Sequence, residues 1–398
     1  MQYLVSLHIK LIKIVKNKSL NRFKPCLRVQ CTSHIKKKAR LNMQKLNSLS
    51  PVDIRAMRDD MPKLRERDFA DKLGVSECRL ISAYCSVEVN KQCVSTQSVR
   101  IKSHPDKVIK AAETLGSVMA LTRNISCVNE KVGVYENYHS GSHAAMVLTE
   151  AIDLRLFPSQ WKHAFMVSKE TDAGMRRSLQ VFDAAGDAVH KIFMTDKSNS
   201  DAWKSVSVAL STEDQGQSID VVKRAPVEGP KYNDAKLDIL RKEWGRMTDT
   251  HQFMRLTSKL RMNRLGAYRT VGAPFVRKLE RSTVDEMLKH VHQAGIEIML
   301  FTGNKGCIQI HTGPLKTLKP MGPWQNVMDS GFNLHLRLDH IAEVWAVEKP
   351  TQRGPAVSVE AFDEHGGLIL QVFGVSKEGR DSRPGWQKII DALEDYIK

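Results

Sequence analysis

Ser178-Leu179-Gln180-Val181-Phe182-Asp183-Ala184-Ala185-Gly186, continuing to Phe193, lies without a gap over Ser358-Val359-Glu360-Ala361-Phe362-Asp363-Glu364-His365-Gly366, continuing to Phe373, at a constant offset of 180 residues. Five of these sixteen positions are identical, where chance gives about one. Most of the others exchange one apolar residue for another. The period far exceeds that of a solenoid or propeller, so the chain reads as two homologous halves, each large enough to bury a core. Function is then expected at or between the halves.

The repeat extends outward from this stretch. Ser103-His104-Pro105-Asp106 opens a helix with a capping-box pattern and Pro in its first turn, and Gly116 ends it. Ser282-Thr283-Val284-Asp285 opens its counterpart, ended by Gly295. Strand-like runs follow in both places: Val118–Thr122 beside Ile298–Thr302, then Ile152–Leu156 beside Phe332–Leu336. Each half therefore reads as helices, a meander of antiparallel strands joined by turns such as Asp183–Gly186, and a terminal helix around Trp203 or Trp386. The fold class is α+β, an internal duplication of two antiparallel sheet halves with helical covers. Residues 43–212 form the first half, the polar stretch 213–233 with Pro226 and Pro230 a linker, and 234–398 the second half.

The formal charge of +17 invites a nucleic-acid reading, but eleven of those charges fall in residues 1–42, which contain no acid, leaving +6 for the rest. That segment reads either as a targeting or membrane-surface peptide or as translated sequence upstream of a start at Met43. In both cases it stands outside the fold. No run approaches the length of a membrane span. The seven cysteines are odd in number, scattered and without a CxxC, which points to reduced thiols in a cytoplasm.

Asp68–Tyr84 has the rhythm of a helix-turn-helix, but its second helix offers only Arg79 and Ser82 as base readers and turns Glu77 toward phosphate, which favours a packing-only hairpin. His139 and His143 flank a Ser-Gly-Ser loop, which argues against a metal pair. His190 has Leu370 as its repeat partner, which suggests a half-buried strand position without an obligatory polar role. His251 follows Thr248 and Asp249, two good N-caps, and is expected in the first turn of a helix, where the dipole favours a neutral imidazole available to a metal. Position alone leaves that role open. The chain has no Walker loop, GxGxxG, GxSxG or HExxH.

Taken together, Leu73-Gly74-Val75-Ser76-Glu77, Leu121-Thr122-Arg123-Asn124, Asp153-Leu154-Arg155-Leu156-Phe157, Met247-Thr248-Asp249-Thr250-His251 and Gly306-Cys307-Ile308-Gln309-Ile310 make the chain from about Asp53 onward resemble the bacterial cytoplasmic hemin-binding and hemin-degrading proteins of the HemS/HmuS/ChuS type. The resemblance implies one non-covalent haem b, with His251 as proximal iron ligand in the second half, Arg155 as distal arginine, and Arg264 and Lys349 facing the propionates. A neutral imidazole suits haem iron, whereas a guanidinium cannot coordinate but can donate hydrogen bonds on the opposite face. The implied function is cytoplasmic haem utilisation with reductant-dependent degradation that frees iron. Its close variant is a carrier that delivers intact haem to a separate haem oxygenase. A third reading, from another class, is a haem-responsive DNA-binding regulator. Implied partners are haem, haem importer components and an electron donor. Two positions depart from the family pattern: Asn129 stands where a histidine is frequent, and Phe373 where a tyrosine is frequent.

Overall fold

The computed structural model describes residues 49–87, 95–377 and 379–397; the basic extension 1–42, Met43 and the thiols of Cys26, Cys31 and Cys93 lie outside them. The first half begins with helices α1 (Pro51–Asp59), α2 (Glu66–Leu73) and α3 (Glu77–Ser82), then β1 (Thr96–Ile101) and α4 (Pro105–Thr114). Eight strands follow: β2 (Gly116–Arg123), β3 (Cys127–Gly133), β4 (Tyr138–His139), β5 (Ala145–Leu148), β6 (Asp153–Leu156), β7 (His163–Thr171), β8 (Gly174–Phe182) and β9 (Ala188–Ser198). Helix α5 (Ala202–Leu210) ends the half.

After an extended linker come α6 (Leu237–Gly245), α7 (Gln252–Lys259), α8 (Arg264–Val271), β10 (Val276–Leu279) and α9 (Thr283–Ala294). The meander of the second half is β11 (Ile298–Gly303), β12 (Cys307–Gly313), β13 (Leu318–Met321), β14 (Trp324–Asp329), β15 (Phe332–Arg337), β16 (Glu343–Lys349), β17 (Ala356–Phe362) and β18 (Leu368–Gly374). A short ribbon, β19 (Ser376–Lys377) with β20 (Arg380–Asp381), leads to α10 (Arg383–Asp391). At α4 the cap is His104 in place of Ser103, whose hydroxyl donates to the Trp161 carbonyl at 3.4 Å. His104 accepts from the Asp106 N–H ahead of Pro105, and Gly74, in the left-handed region at φ 66°, closes α2.

The α+β class is as the repeat predicts, with two nine-stranded antiparallel sheets. Their strand orders are β1-β7-β8-β9-β2-β3-β15-β14-β13 and β10-β16-β17-β18-β11-β12-β6-β5-β4. Each sheet takes six strands from one half and three from the other. The exchange obeys the duplication: Leu334 of β15 pairs with Asn129 of β3, and Leu154 of β6 with Gln309 of β12, each residue 180 positions from its counterpart. Exchanged strands change hydrogen-bonding partner but keep their own core. Val147, Leu154 and Leu156 still pack with Val108, Ala120 and Ile192 under α4 and α5. Leu334 and Leu336 likewise pack with Leu300 and Val372 under α9 and α10.

Two asparagines lock this pseudo-two-fold. Asn124 Nδ2 donates to the carbonyls of Gly303 (3.3 Å) and Ile369 (2.8 Å). Asn304 Nδ2 donates to those of Arg123 (2.9 Å) and Val189 (2.8 Å). Every acceptor is the repeat counterpart of the other, so the contact is isologous, as in a symmetric dimer. Gly306 is required beside it, because a Cβ there would lie 2.6 Å from Val189 Cγ1.

His190 is not the half-buried, polar-indifferent residue its repeat partner suggests. It is 1% exposed, with Nδ1 2.8 Å from Thr122 Oγ1 and Nε2 2.6 Å from the Tyr135 hydroxyl. The Thr122 hydroxyl donates to Gln309 Oε1 at 2.9 Å. The His190 Nδ1–H therefore donates to Thr122, and Nε2 accepts from Tyr135. Burial pushes the imidazole down to about 3, so the ring is neutral. The chain of donors crosses from one sheet to the other through Gln309.

The helix-turn-helix rhythm of Asp68–Tyr84 is real, but its second helix presents nothing to DNA. Helix α3 has six residues, of which Glu77, Cys78, Leu80, Ile81 and Ser82 are buried. One side packs on Phe69 and Leu73, the other on Phe165 and Phe182. Arg79 donates inward to the Leu49 carbonyl, and Ser82 to those of Arg79 and Gln217. Packing against the sheet claims the face that a recognition helix would need free.

Candidate functional site

Helices α6, α7 and α8 cover one end of the second sheet with an aromatic cluster: Trp244, Phe253 and Tyr268 pack on Trp345, Val347 and Phe362. The Trp244 indole N–H donates to the Glu348 carbonyl at 2.8 Å, fixing α6 to β16. Between α6 and α7 the chain makes a turn held at both ends. The Thr248 N–H donates to Gln252 Oε1 and Gln252 Nε2 to Thr248 Oγ1, each at 3.0 Å. The Gln352 N–H, beyond β16, donates to the Thr248 carbonyl at 3.0 Å.

His251 occupies the N-cap position of α7, with no capping bond from its side chain, so the helix begins two or three residues later than a cap at Asp249 or Thr248 predicts. The reason is Asp249, whose Oδ1 accepts from the His251 N–H at 2.7 Å and lies 2.6 Å from Nδ1. That local bond competes with helix and fixes the turn. The His251 side chain is 93% exposed.

Arg264 begins α8, capped by Asn263, which accepts from the Gly266 N–H. Its guanidinium donates to Glu360 Oε2 (2.9 Å) and the Tyr268 hydroxyl (3.2 Å). Lys349, at the end of β16, donates from Nζ to Glu360 Oε1 and the Tyr268 hydroxyl, both at 3.0 Å. Ser358 Oγ adds a third donor to the carboxylate at 2.9 Å. Arg264 and Lys349, 85 positions apart in the chain, thus share one carboxylate.

Burial alone would raise the Glu360 carboxyl, but Lys349 and Arg264 outweigh it and hold it at about 2. Burial pushes Lys349 down to about 8 against the pull of Glu360. Two cations face one carboxylate, so the cluster carries a surplus positive charge in a low-dielectric setting. Lys349 is 3% exposed and its ammonium is committed to Glu360 and Tyr268. Arg264 keeps an accessible edge, with 23% of its side chain exposed. Direct contact with an external anion therefore falls first to Arg264.

The strand register places Arg155 on the same sheet face. Asp153, Ile310, Phe301, Gln371 and Glu360 form one row across β6, β12, β11, β18 and β17. Arg155, two residues from Asp153, shares that face. Asp153 and Glu360 stand four strand spacings apart, roughly 19 Å. Arg155 is ion-paired to Asp153 and donates to the Leu154 carbonyl at 3.1 Å. Between the two ends Phe301 and Phe373 meet edge-to-face at 5.4 Å, both half-buried. The structure brings Arg264 and Lys349 onto one carboxylate, sets His251 on the adjoining turn, and leaves Arg155 across the face.

A cavity of about 560 Å³ opens at one edge of this face, between Phe301, Ile308 and Gln371 on one side and Arg67, Val75 and Val227 on the other. His251, Arg155, Arg264 and Lys349 do not line it. Sequence reasoning missed Glu360 and Tyr268, the groups that organise the two cations. The available signal was Gln180 opposite Glu360 in the repeat, a neutral residue exchanged for an acid in an otherwise apolar register. Among the described residues no group of three or more His, Cys, Asp or Glu forms a metal cage, and no helix is long and apolar enough to cross a membrane.

The donor set fits a planar, anionic metalloporphyrin: an exposed imidazole with one nitrogen already bonded, a half-exposed aromatic pair and a surplus-positive cluster. Comparison with known proteins agrees. The family model of the haemin-degrading HemS.ChuX domain matches residues 74–210 and 261–393. The hemin transport protein HemS of Yersinia enterocolitica is 35% identical over 338 residues, 84% of this chain and 94% of its own. The crystal structure of holo-PhuS, a heme-binding protein from Pseudomonas aeruginosa, superposes with a TM-score of 0.81 at 36% identity, covering 87% of this chain and all of that one. ChuS, an Escherichia coli heme oxygenase, gives a TM-score of 0.75 at 31% identity over 86% of this chain and 99% of its own. With both repeats matched and most of its length shared with these relatives, the chain belongs to the haemin-degrading HemS.ChuX family.

Proposed function

We propose that this protein is a cytoplasmic haem-utilisation protein that binds one haem b non-covalently on the open face of its second sheet and, given a reductant and oxygen or peroxide, degrades it to release iron. Haem is the substrate and supplies the redox-active iron. The protein's residues bind and orient it. His251 offers a lone pair at Nε2, Arg264 takes a propionate, and Lys349 with Glu360 and Tyr268 holds Arg264 in place. Arg155 donates hydrogen bonds on the far side and orients the oxidant, since a guanidinium has no lone pair for a metal. Haem importer components and an electron donor are the partners this role requires.

The observation that carries the reading is the exposed His251 ring beside a buried cluster with one unmatched positive charge. A second reading, delivery of intact haem to a separate oxygenase, draws on the 93% exposure of the same side chain, which favours hand-over to another protein. One experiment separates the two. Haem is titrated into the protein and followed at the Soret band, reductant is added with and without catalase, and the tetrapyrrole product is identified. A one-to-one complex whose spectrum is lost in His251→Ala, and whose macrocycle opens under reductant, is the expected result. Arg155→Ala should keep haem binding and slow turnover about 100-fold, the usual cost of losing one well-placed donor. Haem that binds and stays intact selects the carrier.

A further inference from the structure

We propose that Asp249 is a positioning residue for His251, fixing its tautomer and supplying negative charge to the imidazole before haem arrives. The inference rests on His251 being the iron ligand and extends it to a residue with no contact to haem of its own. Asp249 Oδ1 receives two donors at once, the His251 backbone N–H at 2.7 Å and the ring Nδ1 at 2.6 Å. A carboxylate only accepts, so the Nδ1 proton is held on the ring and the lone pair is left at Nε2. A solvent-exposed histidine otherwise samples both tautomers and several rotamers, and loses that freedom on binding.

Here the surroundings have already removed it. The turn is closed by the reciprocal Thr248–Gln252 bonds and tied to the loop after β16 by the Gln352 N–H. The ring is thus presented to solvent from a turn whose backbone is fixed. A carboxylate on the remote nitrogen also makes the imidazole a stronger donor, the arrangement by which outer carboxylates tune metal-bound histidines. Asp249 therefore governs both the affinity for haem and the ease with which ferric iron is reduced.

The test compares Asp249→Ala, Asp249→Asn and His251→Ala in the full chain. In haem-free protein, ¹⁵N NMR of the His251 ring should report one dominant tautomer in the wild type and a mixture in Asp249→Ala. Ferric haem should bind Asp249→Ala about 10- to 100-fold more weakly. Asp249→Asn keeps an acceptor oxygen without the charge: it should restore the tautomer and most of the affinity, while the midpoint potential of the bound haem rises relative to wild type. Circular dichroism and thermal unfolding of each variant exclude loss of the turn as the cause. An unchanged tautomer ratio in Asp249→Ala, or a wild-type potential in Asp249→Asn, overturns the proposal. An unchanged haem spectrum in His251→Ala overturns the ligand assignment itself, and the proposal falls with it.

Discussion

The two halves share a scaffold and differ in what they place on the outer face of their sheets. In the first half Lys191 on β9 and Arg123 on β2 both pair with Glu77, which α3 lowers onto the sheet. Their repeat counterparts are Gln371 and Gly303. One is uncharged, the other has no side chain, and both line the cavity beside Phe301. Glu77 and Arg123 line the same cavity, so an ion cluster walls its first-half side where the uncharged Gln371 and Gly303 wall its second-half side. In the second half the buried charge moves toward the helical end, where Glu360 answers Arg264 and Lys349. A duplicated fold can thus gain a site by relocating charge, with no change in strand order.

This contrast can be broken in several ways. The largest effect is expected from Glu360→Leu, which strands the buried Lys349 and the half-buried Arg264 and should cost about 3–5 kcal/mol in chemical denaturation. Gln180→Leu, at the equivalent position, removes a neutral amide bonded to Ser178 and should cost about 1 kcal/mol. Equal costs would mean that the charge asymmetry does not distinguish the halves energetically. Next, Asn304→Ala should cost about 2–4 kcal/mol by orphaning the Arg123 and Val189 carbonyls, and Asn124→Ala should cost the same within error. A marked inequality would show that the pseudo-two-fold is geometric only.

The smallest effect is on pH dependence. Lys349, held down to about 8, keeps its proton below that value and loses it above, so the cluster passes from surplus positive to neutral as pH rises. Affinity for an anionic porphyrin should fall about fivefold between pH 7 and pH 9, the worth of one partly screened charge. In Lys349→Met that step should be absent.

Much of the fold was legible because duplication leaves an offset that can be counted. The paired runs at Val118 and Ile298 became β2 and β11. The exchange of β4–β6 with β13–β15 was not legible. A repeat states which residues correspond, and an exchanged arrangement has the same periodicity as an unexchanged one. His190 was misjudged for a related reason: its counterpart Leu370 describes the shape of the position, while Tyr135 and Thr122 decide its chemistry. At the site, His251, Arg155, Arg264 and Lys349 came from motif resemblance. Glu360 needed coordinates, because its partners are 96 and 11 positions away on different elements.

The strand exchange also constrains how the chain is made. The first sheet is completed by β13–β15, so two of its neighbours, β3 and β15, cannot meet until residue 337 has been synthesised. Strands β4–β6 must wait for β12. During translation the nascent first half therefore exposes an unpaired edge at β3 and three strands without their ladder partner β12, for as long as the ribosome takes to add more than a hundred residues. At about 5–20 residues per second this window lasts roughly ten seconds or more. An open edge of that duration invites pairing with a neighbouring nascent chain on the same message.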